Sequence, residues 1–344
     1  MKLRILILYV LLLFMLAFQS SNDYLFQVPS NFPKPSYDFS KNALTSPKIQ
    51  LGRALFYDPI LSRNNMISCA SCHSQFSAFT HIDHALSHGI EDKIGFRNAP
   101  ALMNLAWQKL FMRDGAVNHL DVQALAPISN PVEMDENIVQ VASKLQHTFI
   151  YPQLFYAAFG DSNITGENTL KAISQFMLTL ISANSKYDSV MRKEVLYTAQ
   201  ENNGYLLFKK NCSSCHKEPL FTNDSFMNNG LSVDTTLNDY GRYRVTNNAK
   251  DSLKFKVPTL RNIEFSYPYM HDGRMKRMAD VLNHYTSGIQ KSKTLADELK
   301  TPIVLSPNEK VDLTAFLLSL TDKTFLFNSK FFYPKELFLN SSKD

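Results

Sequence analysis

Apolar residues recur at helical spacing along much of the chain. From about 168 to 181, the residues Leu170, Ile173, Met177 and Leu180 follow one another three or four positions apart, so they share one face of a helix. A stripe of this kind is typical of a helix that packs against a hydrophobic core. The pattern therefore predicts an amphipathic helix with its apolar face buried.

A second helix is predicted where a capping box precedes an apolar stripe. Ser306 is followed three residues later by Glu309, and in this motif each side chain accepts a hydrogen bond from the other residue's backbone N–H group. Val311, Ala315 and Leu318 then supply an apolar face at helical spacing. The helix is expected to begin directly after Ser306.

Two further helices repeat the same pattern of positions. Each is predicted to begin at a capping residue, and glycine, leucine and phenylalanine follow at identical offsets. The matching positions are Ser46, Gly52, Leu55 and Phe56 in the first copy and Thr198, Gly204, Leu207 and Phe208 in the second. Pro47 suits the first turn of a helix, and Thr198 forms a capping box with Glu201. This internal repeat predicts two similar units.

Composition agrees with a folded chain of two units. The 344 residues are 44% hydrophobic and 19% charged, which is ordinary for a globular protein with a buried core. The length also allows two domains, since about 150 residues per domain is usual. The stretch 223–256 is polar and rich in Asn and Asp, which predicts irregular loop with at most one hairpin. The expected fold class is mostly α, with long connecting loops.

Each repeated helix leads to a cysteine pair with a histidine directly after it. The two motifs, which use all four cysteines of the chain, are Cys69-Ala-Ser-Cys72-His73 and Cys212-Ser-Ser-Cys215-His216. This is the attachment pattern of c-type haem, in which two thiols bond to the porphyrin and the imidazole binds the iron. A redox C-x-x-C pair or half of a zinc site would not explain both histidines. The motifs predict two covalently bound haems in cytochrome c-like domains.

The chain begins in the manner of a secretory signal. Lys2 and Arg4 precede an apolar run at 5–18, and polar residues follow the run. The run is shorter than the roughly 20 residues of a membrane-spanning helix, while an uncleaved anchor stays open as an alternative. Export to the periplasm agrees with haem attachment, because bacterial c-type haem is fitted outside the cytoplasm.

The small net charge argues against nucleic acid as a partner. The net charge of +5 is small for this length and the basic residues form no single run, so nucleic-acid binding is not expected.

The motifs divide the chain into four expected parts. These are a signal or anchor at 1–21, an N-terminal haem domain at 22–183, a C-terminal haem domain at 184–324, and a tail without an assigned role at 325–344.

Several strings around the two motifs resemble the bacterial di-haem cytochrome c peroxidase family, which includes the di-haem enzyme that matures the tryptophan-derived quinone of methylamine dehydrogenase. The resemblance runs from about 51 to 322. Its strings are LGRALFYD at 51–58, RNAP at 97–100, NPVEM at 130–134, PLFT at 219–222, PTLRN at 258–262 and YPYMHDG at 267–273. In this family the N-terminal haem meets peroxide and the C-terminal haem handles electrons, and the resemblance implies the same division here.

The resemblance implies a peroxide site at the N-terminal haem, with His73 as the proximal iron ligand. Glu133 stands where the family places a distal carboxylate, which can move a proton from one peroxide oxygen to the other. Gln123 stands where the family has a glutamine that orients peroxide or water. Burial beside the porphyrin would raise the pKa of Glu133 toward the working range. A glutamate on a solvated loop is the alternative.

The same haem raises the question of a ligand that caps the resting iron. Some members of the family have a loop histidine that binds there and leaves on activation, and His88 is the candidate in this chain. The loop at 88–98 is slightly longer here than in the family, so His81 and His84 compete for the role. A surface histidine without such a role is the other interpretation.

His216 would ligate the second iron, and the sixth-ligand position of the family falls on Tyr285. A tyrosinate stabilises ferric and higher iron, whereas a methionine would raise the reduction potential. Adjacent helical residues point about 100° apart, so only one of Tyr285 and His284 can face the iron, and Tyr285 is the expected ligand. A tyrosine that packs at the haem edge without binding is the alternative. Met270 and Met278 are further candidates, although both are more typical of core.

One position departs from the family. The family commonly has a tryptophan between the haems, directly before Asp-Gly, where this chain has Arg113. An arginine side chain cannot be oxidised, so electrons would tunnel directly between the haems. Arg113 would instead be free to pair with haem propionates. Trp107, the only tryptophan of the chain, is expected to serve packing.

The resemblance also implies a calcium ion between the haems. In the family this ion is held by one asparagine side chain and by backbone carbonyls, and the matching positions are Asn98, Ser266 and Pro268. Oxygen donors suit calcium. Ser266 replaces the usual threonine, a change that backbone ligation tolerates.

These inferences predict an exported di-haem c-type peroxidase that reduces hydrogen peroxide to water. The two electrons would come from a small c-type cytochrome or copper protein. One alternative is a related enzyme that oxidises residues of a partner protein, which Tyr285 would permit. The other is a non-catalytic di-haem electron carrier, in which Glu133 and Gln123 are incidental. The resemblance also suggests a homodimer.

Overall fold

The computed structural model describes the backbone of residues 25–339. The predicted signal or anchor at 1–21 and the end of the predicted tail, 340–344, lie outside this range. Within it, helices are joined by long irregular segments, so the prediction of a mostly α fold is confirmed. None of the helices formed by residues 25–339 is long and apolar enough to cross a membrane.

The helices fall into two groups along the chain. The first group consists of α1 Ser46–Tyr57, α2 Cys69–Cys72, α3 Leu125–Ser129, α4 Ile138–Gln146, α5 Tyr151–Phe159 and α6 Gly166–Leu178. The second consists of α7 Lys186–Met191, α8 Ala199–Asn211, α9 Tyr243–Thr246, α10 Met278–Asn283 and α11 Pro307–Leu318. Two short helices close the chain, α12 Lys323–Leu326 and α13 Lys335–Leu339. A π-helical turn at His284–Gly288 continues α10.

The polar stretch at 223–256 is mostly irregular, as predicted. Its ends form two short strands, β1 Phe226–Met227 and β2 Phe255–Lys256. They pair antiparallel, with Phe226 opposite Lys256. The strands are joined by a long loop that contains α9, so they do not form a tight hairpin.

Capping residues set the beginnings of the longer helices. Thr198 and Glu201 cap each other's backbone at the start of α8, and Ser306 and Glu309 do the same at α11, which confirms both predicted boxes. The hydroxyl of Thr165 accepts a hydrogen bond from the backbone N–H of Asn168 and begins α6 two residues earlier than predicted.

The predicted cap of α1 was wrong by one residue. Thr45, whose backbone is extended, caps this helix by accepting a hydrogen bond from the backbone N–H of Lys48 at 3.4 Å. Ser46 is therefore the first helical residue and Pro47 the second. Thr45 and Ser46 both carry a hydroxyl group, so the sequence alone does not decide which of them caps the helix, and a proline fits either of the first two helical positions.

In both groups, the helix that precedes the cysteine pair crosses the last long helix of its group at a glycine. A Cβ atom at Gly52 of α1 would lie 1.9 Å from the carbonyl oxygen of Ala172 in α6. A Cβ atom at Gly204 of α8 would lie 2.0 Å from the carbonyl oxygen of Asp312 in α11. Only glycine permits backbones to approach so closely. The repeated glycine of the sequence thus corresponds to one shared helix crossing.

Buried apolar side chains form two clusters. The first, on α1 and α4–α6, includes Phe56, Phe155 and Phe176, and the second, on α8 and α11, includes Phe208 and Phe316. The second cluster is formed by residues after 183, where the sequence divides the chain, and the first is formed mainly by residues before it, together with Phe325, Leu326 and Phe331. The domain boundaries themselves stay predictions. Two separate cores agree with two repeated units.

Trp107 belongs to the first cluster. Its ring is buried, with the rings of Phe26 and Phe32 at centroid distances of 5.7 and 5.0 Å. Its indole N–H donates to the carbonyl of Pro33 at 2.7 Å. The expectation that Trp107 serves packing is confirmed.

The segment that was expected to be a tail returns to the first cluster. Phe325 lies 5.7 Å from Phe79 and Phe331 lies 6.4 Å from Phe176, measured between ring centroids. The hydroxyl of Tyr57 donates to the carbonyl of Phe331 at 2.7 Å. The described part of this segment therefore completes the core of the first unit, a long-range contact that local spacing does not reveal.

A buried ion pair anchors the second cluster. Two nitrogens of Arg261 donate to the two carboxylate oxygens of Asp188 at 2.8 and 2.7 Å, and both side chains are fully buried. Arg261 also donates to the carbonyl of Pro219 at 2.9 Å. Burial alone would raise the pKa of Asp188, but the hydrogen bonds and charge of Arg261 hold it below its ordinary value.

Gly204→Ala should lower the free energy of unfolding by about 1–3 kcal/mol, because the added methyl group overpacks the crossing. This loss exceeds the gain in helix propensity, about 1 kcal/mol. Urea unfolding of the holoprotein measures the change. Asn203→Ala, on the exposed side of the same helix, is the control and should change stability by less than about 0.5 kcal/mol. Equal stability of Gly204→Ala and the wild type would contradict the role of the crossing.

Asp188→Asn should lower the free energy of unfolding at pH 7 by about 3–5 kcal/mol, because the charge of Arg261 stays buried without its partner. The lowered pKa of Asp188 stabilises the fold fully above the ordinary value of 3.8, and this contribution is lost as the pH falls through the lowered pKa. The difference in the free energy of unfolding between Asp188→Asn and the wild type should therefore become smaller at acid pH. Asp280→Asn removes an exposed pair and serves as the control in the same unfolding measurements; a pH-independent gap would contradict the linkage.

Candidate haem sites

A cavity lies beside the first C-x-x-C-H motif. It is lined by Cys69, Cys72 and His73, and also by Gln123 and Glu133, which the fold brings in from a later loop and turn. The remaining lining is largely apolar and comes partly from α1 and α6. Cofactor sites are usually concave and mostly apolar, with a few polar groups that fix the orientation of the bound molecule. The lining of this cavity therefore suits a mostly apolar cofactor held at the motif.

Local hydrogen bonds position His73. The helical turn α2 is capped by Ser68, and the backbone N–H of His73 donates to the carbonyl of Cys69 at 2.9 Å. Nδ1 of His73 lies 2.8 Å from the carbonyl oxygen of Phe79. Burial lowers the pKa of His73 to about 4, so its imidazole is neutral. With Nδ1–H donating to Phe79, the lone pair of Nε2 is free to bind a metal.

His216 is held in the same manner after α8 ends. Its Nδ1 lies 3.1 Å from the carbonyl oxygens of both Phe221 and Pro258, and burial lowers the pKa of the imidazole. Phe79 and Phe221 both have positive φ angles, 58° and 55°. This conformation is uncommon for bulky residues, and such residues cluster at functional sites. Sequence reasoning did not identify these two phenylalanines, whose common signal is their position five or six residues after the histidine.

The four cysteines are not joined in disulfides. Burial raises the pKa of the Cys69 and Cys212 thiols to about 12 and that of Cys72 to about 11. Such thiols stay protonated near neutral pH, unlike the lowered-pKa cysteines of reactive redox pairs. Within residues 25–339, no three His, Cys, Asp or Glu side chains are grouped to hold a metal ion. Thiol pairs, adjacent neutral imidazoles and an apolar cavity fit c-type haem.

Glu133 is held at the first cavity by its neighbours. Nδ2 of Asn130 donates to Oε1 of Glu133 at 2.7 Å, and the carbonyl of Glu133 accepts from the backbone N–H of Ile90 at 2.7 Å. Burial raises the pKa of Glu133, and its carboxylate lies close enough to Cys72 to raise the pKa of that thiol. The side chain is therefore placed and tuned as a proton-transferring carboxylate would be.

Gln123 lies at the end of a 3₁₀ turn at Leu120–Val122 and lines the same cavity. Its Nε2 is 3.5 Å from the sulfur of Met112. The structure thus brings together His73, Gln123 and Glu133 from three separate segments. Their roles toward peroxide stay predictions.

Of the three neighbouring histidines, His88 lines the first cavity. Its Nδ1 lies 2.6 Å from the carboxylate of Asp92, and its ring stacks on that of His84 at 4.2 Å. His81 lies 5.5 Å from His84. Gly89 lets the loop that carries His88 lie against the segment that carries Glu133, because a Cβ atom at position 89 would lie 2.1 Å from the carbonyl oxygen of Val132.

At the second motif, the π-helical turn separates two adjacent side chains. Burial raises the pKa of Tyr285 to about 12, and its phenol is within electrostatic range of the Cys212 and Cys215 side chains. Nε2 of His284 lies 3.0 Å from the carbonyl oxygen of Asn229, with its imidazole buried there. Tyr285, rather than His284, therefore faces the second motif. Turns of this type are frequent at functional sites.

The two methionines that were alternatives to Tyr285, Met270 and Met278, have different partners. Met278 packs against the second hydrophobic cluster, which is the core role expected for it. The sulfur of Met270 accepts a hydrogen bond from Nδ2 of Asn229 at 3.4 Å. Asn229 also forms a hydrogen bond with Tyr285, so Met270 and Tyr285 share a neighbour near the second motif.

The predicted calcium ligand Asn98 binds an arginine in this structure. Nε of Arg113 donates to the backbone carbonyl of Asn98 at 2.8 Å, and Nη2 donates to its side-chain oxygen at 3.0 Å. Burial lowers the pKa of Arg113 to about 10, so the guanidinium remains charged near neutral pH. Ser266 and Pro268 lie half-buried and buried, respectively. The side-chain oxygen expected to bind calcium is thus engaged by a cation, and the residues do not fit the ion.

The chain is similar to known di-haem proteins. A family model for di-haem cytochrome c peroxidases matches residues 46–195. The methylamine utilization protein MauG of Methylorubrum extorquens is 35% identical over 307 residues, which cover 86% of this chain and 83% of that protein. Cytochrome c551 peroxidase of Nitrosomonas europaea is 36% identical over 230 residues, which cover 65% of this chain and 68% of that protein.

Solved structures have the same architecture. A MauG-like protein associated with microbial copper homeostasis superposes with a TM-score of 0.82 at 29% identity, over 90% of this chain and 99% of that chain. The di-haem peroxidase BthA from Burkholderia thailandensis superposes with a TM-score of 0.71 at 21% identity, over 83% of this chain and 88% of that chain. The second likeness concerns the fold alone.

Proposed function

The chain belongs to the di-haem cytochrome c peroxidase family, and from this premise we propose that it reduces hydrogen peroxide at the first haem site. It carries two covalently bound c-type haems, attached at the two C-x-x-C-H motifs. One observation carries the assignment of roles: Glu133 and Gln123 line the cavity of the first motif together with His73. The overall reaction takes up two electrons and two protons and yields two waters.

When bound, the haem supplies the electrons and the Lewis-acidic iron that O–O cleavage needs. The chain's own residues supply the proton transfers and the orientation. Glu133 takes a proton from the near oxygen of peroxide and returns it to the far oxygen, which then leaves as water. The raised pKa of Glu133 brings its two protonation states closer in energy near neutral pH. Gln123 orients the peroxide by hydrogen bonds from its amide.

His73 supports this chemistry from the motif itself. Its Nδ1–H bond to the carbonyl of Phe79 fixes the tautomer and increases the basicity of Nε2. His88, which lines the same cavity, is our candidate for the ligand that caps the resting iron. Its Nδ1 is held by the carboxylate of Asp92, which would leave Nε2 free for the iron.

The second unit would hold the haem that handles electrons. We propose that His216 and Tyr285 would bind its iron, supported by the hydrogen bonds at Nδ1 of His216, which would leave Nε2 free, and by the electrostatic interactions of Tyr285 with Cys212 and Cys215. Small c-type cytochromes or copper proteins are the proposed donors, the periplasm the proposed location, and a homodimer the proposed assembly. Because Arg113 cannot be oxidised, electrons would tunnel between the two haems.

A second function is favoured by the same tyrosine. A tyrosinate ligand stabilises oxidised iron, so both haems could store oxidising equivalents for use on residues of a partner protein. The relative at 35% identity is named for methylamine utilization. A non-catalytic electron carrier is the third alternative. It would be supported by two permanently six-coordinate haems and by the absence of peroxide turnover, even after pre-reduction.

Glu133→Gln should slow the reaction of the first haem with peroxide by about 10²-fold or more, because the amide cannot carry the proton. Stopped-flow absorbance with hydrogen peroxide measures the rate, and mass spectrometry checks that both haems remain attached. Glu91→Gln is the control, since Glu91 is an exposed carboxylate paired with Arg63. Unchanged kinetics in Glu133→Gln would remove this residue from the mechanism.

Tyr285→Phe should change the electron paramagnetic resonance signal of the second haem, because its iron would lose an oxygen ligand, while the first haem should still react with peroxide. His284→Gln should leave the signal unchanged, since His284 bonds to the backbone of Asn229. Identical spectra of Tyr285→Phe and the wild type would show that the tyrosine only packs at the haem edge.

A further inference from the structure

Arg113 occupies the acceptors of a residue on which a calcium site would depend. Asn98 is only 3% exposed, and both its backbone carbonyl and its side-chain oxygen accept from the guanidinium. We infer that Arg113 replaces calcium between the two haem sites, as a cation that is part of the chain. This inference concerns the metal content of the protein and does not depend on peroxide turnover.

A calcium ion bound to Asn98 would lie close to the guanidinium of Arg113. Calcium binds oxygen at about 2.3–2.6 Å, and Nη2 of Arg113 lies 3.0 Å from the side-chain oxygen of Asn98. A calcium ion on that oxygen would therefore lie within about 5.6 Å of the guanidinium nitrogen. The site is buried, so solvent ions screen the repulsion poorly. The two cations compete for one place.

Charge balance is the second argument. Three arginines and three aspartates lie within electrostatic range around this point, partly in separate ion pairs, and the formal charges of these six groups cancel without a metal ion. They are Arg97 with Asp114 and Asp239, Arg274 with Asp272, and Arg113 itself, whose pKa reflects the charges of Arg97, Asp239 and Asp272. Adding a calcium ion would leave two uncompensated positive charges. Removing Arg113 would leave one uncompensated negative charge.

The position of Arg113 is the third argument. Its backbone carbonyl accepts from the backbone N–H of Lys256 at 2.7 Å, and the backbone N–H of Asn98 donates to the carbonyl of His271 at 2.8 Å. Arg113 and Asn98 thus join a loop of the first unit to two segments of the second. The charge of Arg113 is also close enough to His73 to lower the pKa of that imidazole. The chain itself supplies both the link and the positive charge beside the first haem ligand.

Metal analysis of the wild-type holoprotein tests the inference directly. After gel filtration in calcium-free buffer, we expect well under one calcium ion per chain by mass spectrometry of the metals. Treatment with the chelator EGTA should leave the melting temperature and the electron paramagnetic resonance spectrum unchanged. About one calcium ion per chain, removed by EGTA with a change in either signal, would overturn the inference.

Arg113→Ala tests whether the guanidinium is what excludes calcium. The variant frees both Asn98 acceptors and leaves a negative charge, so it should bind calcium with a dissociation constant of about 10⁻⁴–10⁻³ M, as weak sites do. Calcium, but not magnesium, should raise its melting temperature. Arg242→Ala is the control, because Arg242 donates to the nearby carbonyl of Asp114 but not to Asn98.

Two outcomes of the variant experiment bear on the inference. A folded, haem-loaded Arg113→Ala that shows no response to calcium would overturn the substitution of one cation by the other. A response shared by Arg242→Ala would show that general loss of charge, rather than the freed acceptors, creates the site, and would overturn it as well. If Arg113→Ala does not fold, the calcium content of the wild type decides alone.

Discussion

The close crossing of two helices at a glycine is the contact on which each haem unit depends. Gly52 and Gly204 bring a backbone carbonyl of the partner helix to within van der Waals contact of the helix that leads toward the cysteines. Next along each partner helix come Phe176 and Phe316, whose side chains fill the core at the crossing. In the second unit the first cysteine directly follows the crossing helix. The crossing therefore sets where the motif leaves the core.

The two units then differ in what they place beside the motif. The first unit presents a carboxylate, Glu133, and the second a phenol, Tyr285, and burial raises the pKa of both groups. A raised pKa makes the protonated form of a carboxyl group easier to reach, whereas a buried phenol loses its proton only to a strong partner such as ferric iron. Burial thus raises the pKa of both groups, but it suits the carboxyl group to proton transfer and the phenol to binding iron.

Local patterns could predict a large part of this arrangement. The capping boxes, the repeated glycine and the cysteine–histidine motifs all act within a few residues, so they are legible in the sequence. Glu133 and Gln123 have no such local signal, and only the family resemblance singled them out. The positive φ angles of Phe79 and Phe221, and the arginine bound to Asn98, depend on contacts between distant segments. Those features required the structure.

The return of the last helices to the first core has a consequence for how the protein is made. Gln75, two residues after the first haem histidine, donates to the backbone carbonyls of Leu326 and Asn328 at 3.0 and 2.9 Å. The support around the first cofactor is therefore incomplete until synthesis has passed the second cysteine motif and reached Asn328. The fold of the first unit thus cannot be completed before the second unit has been synthesised.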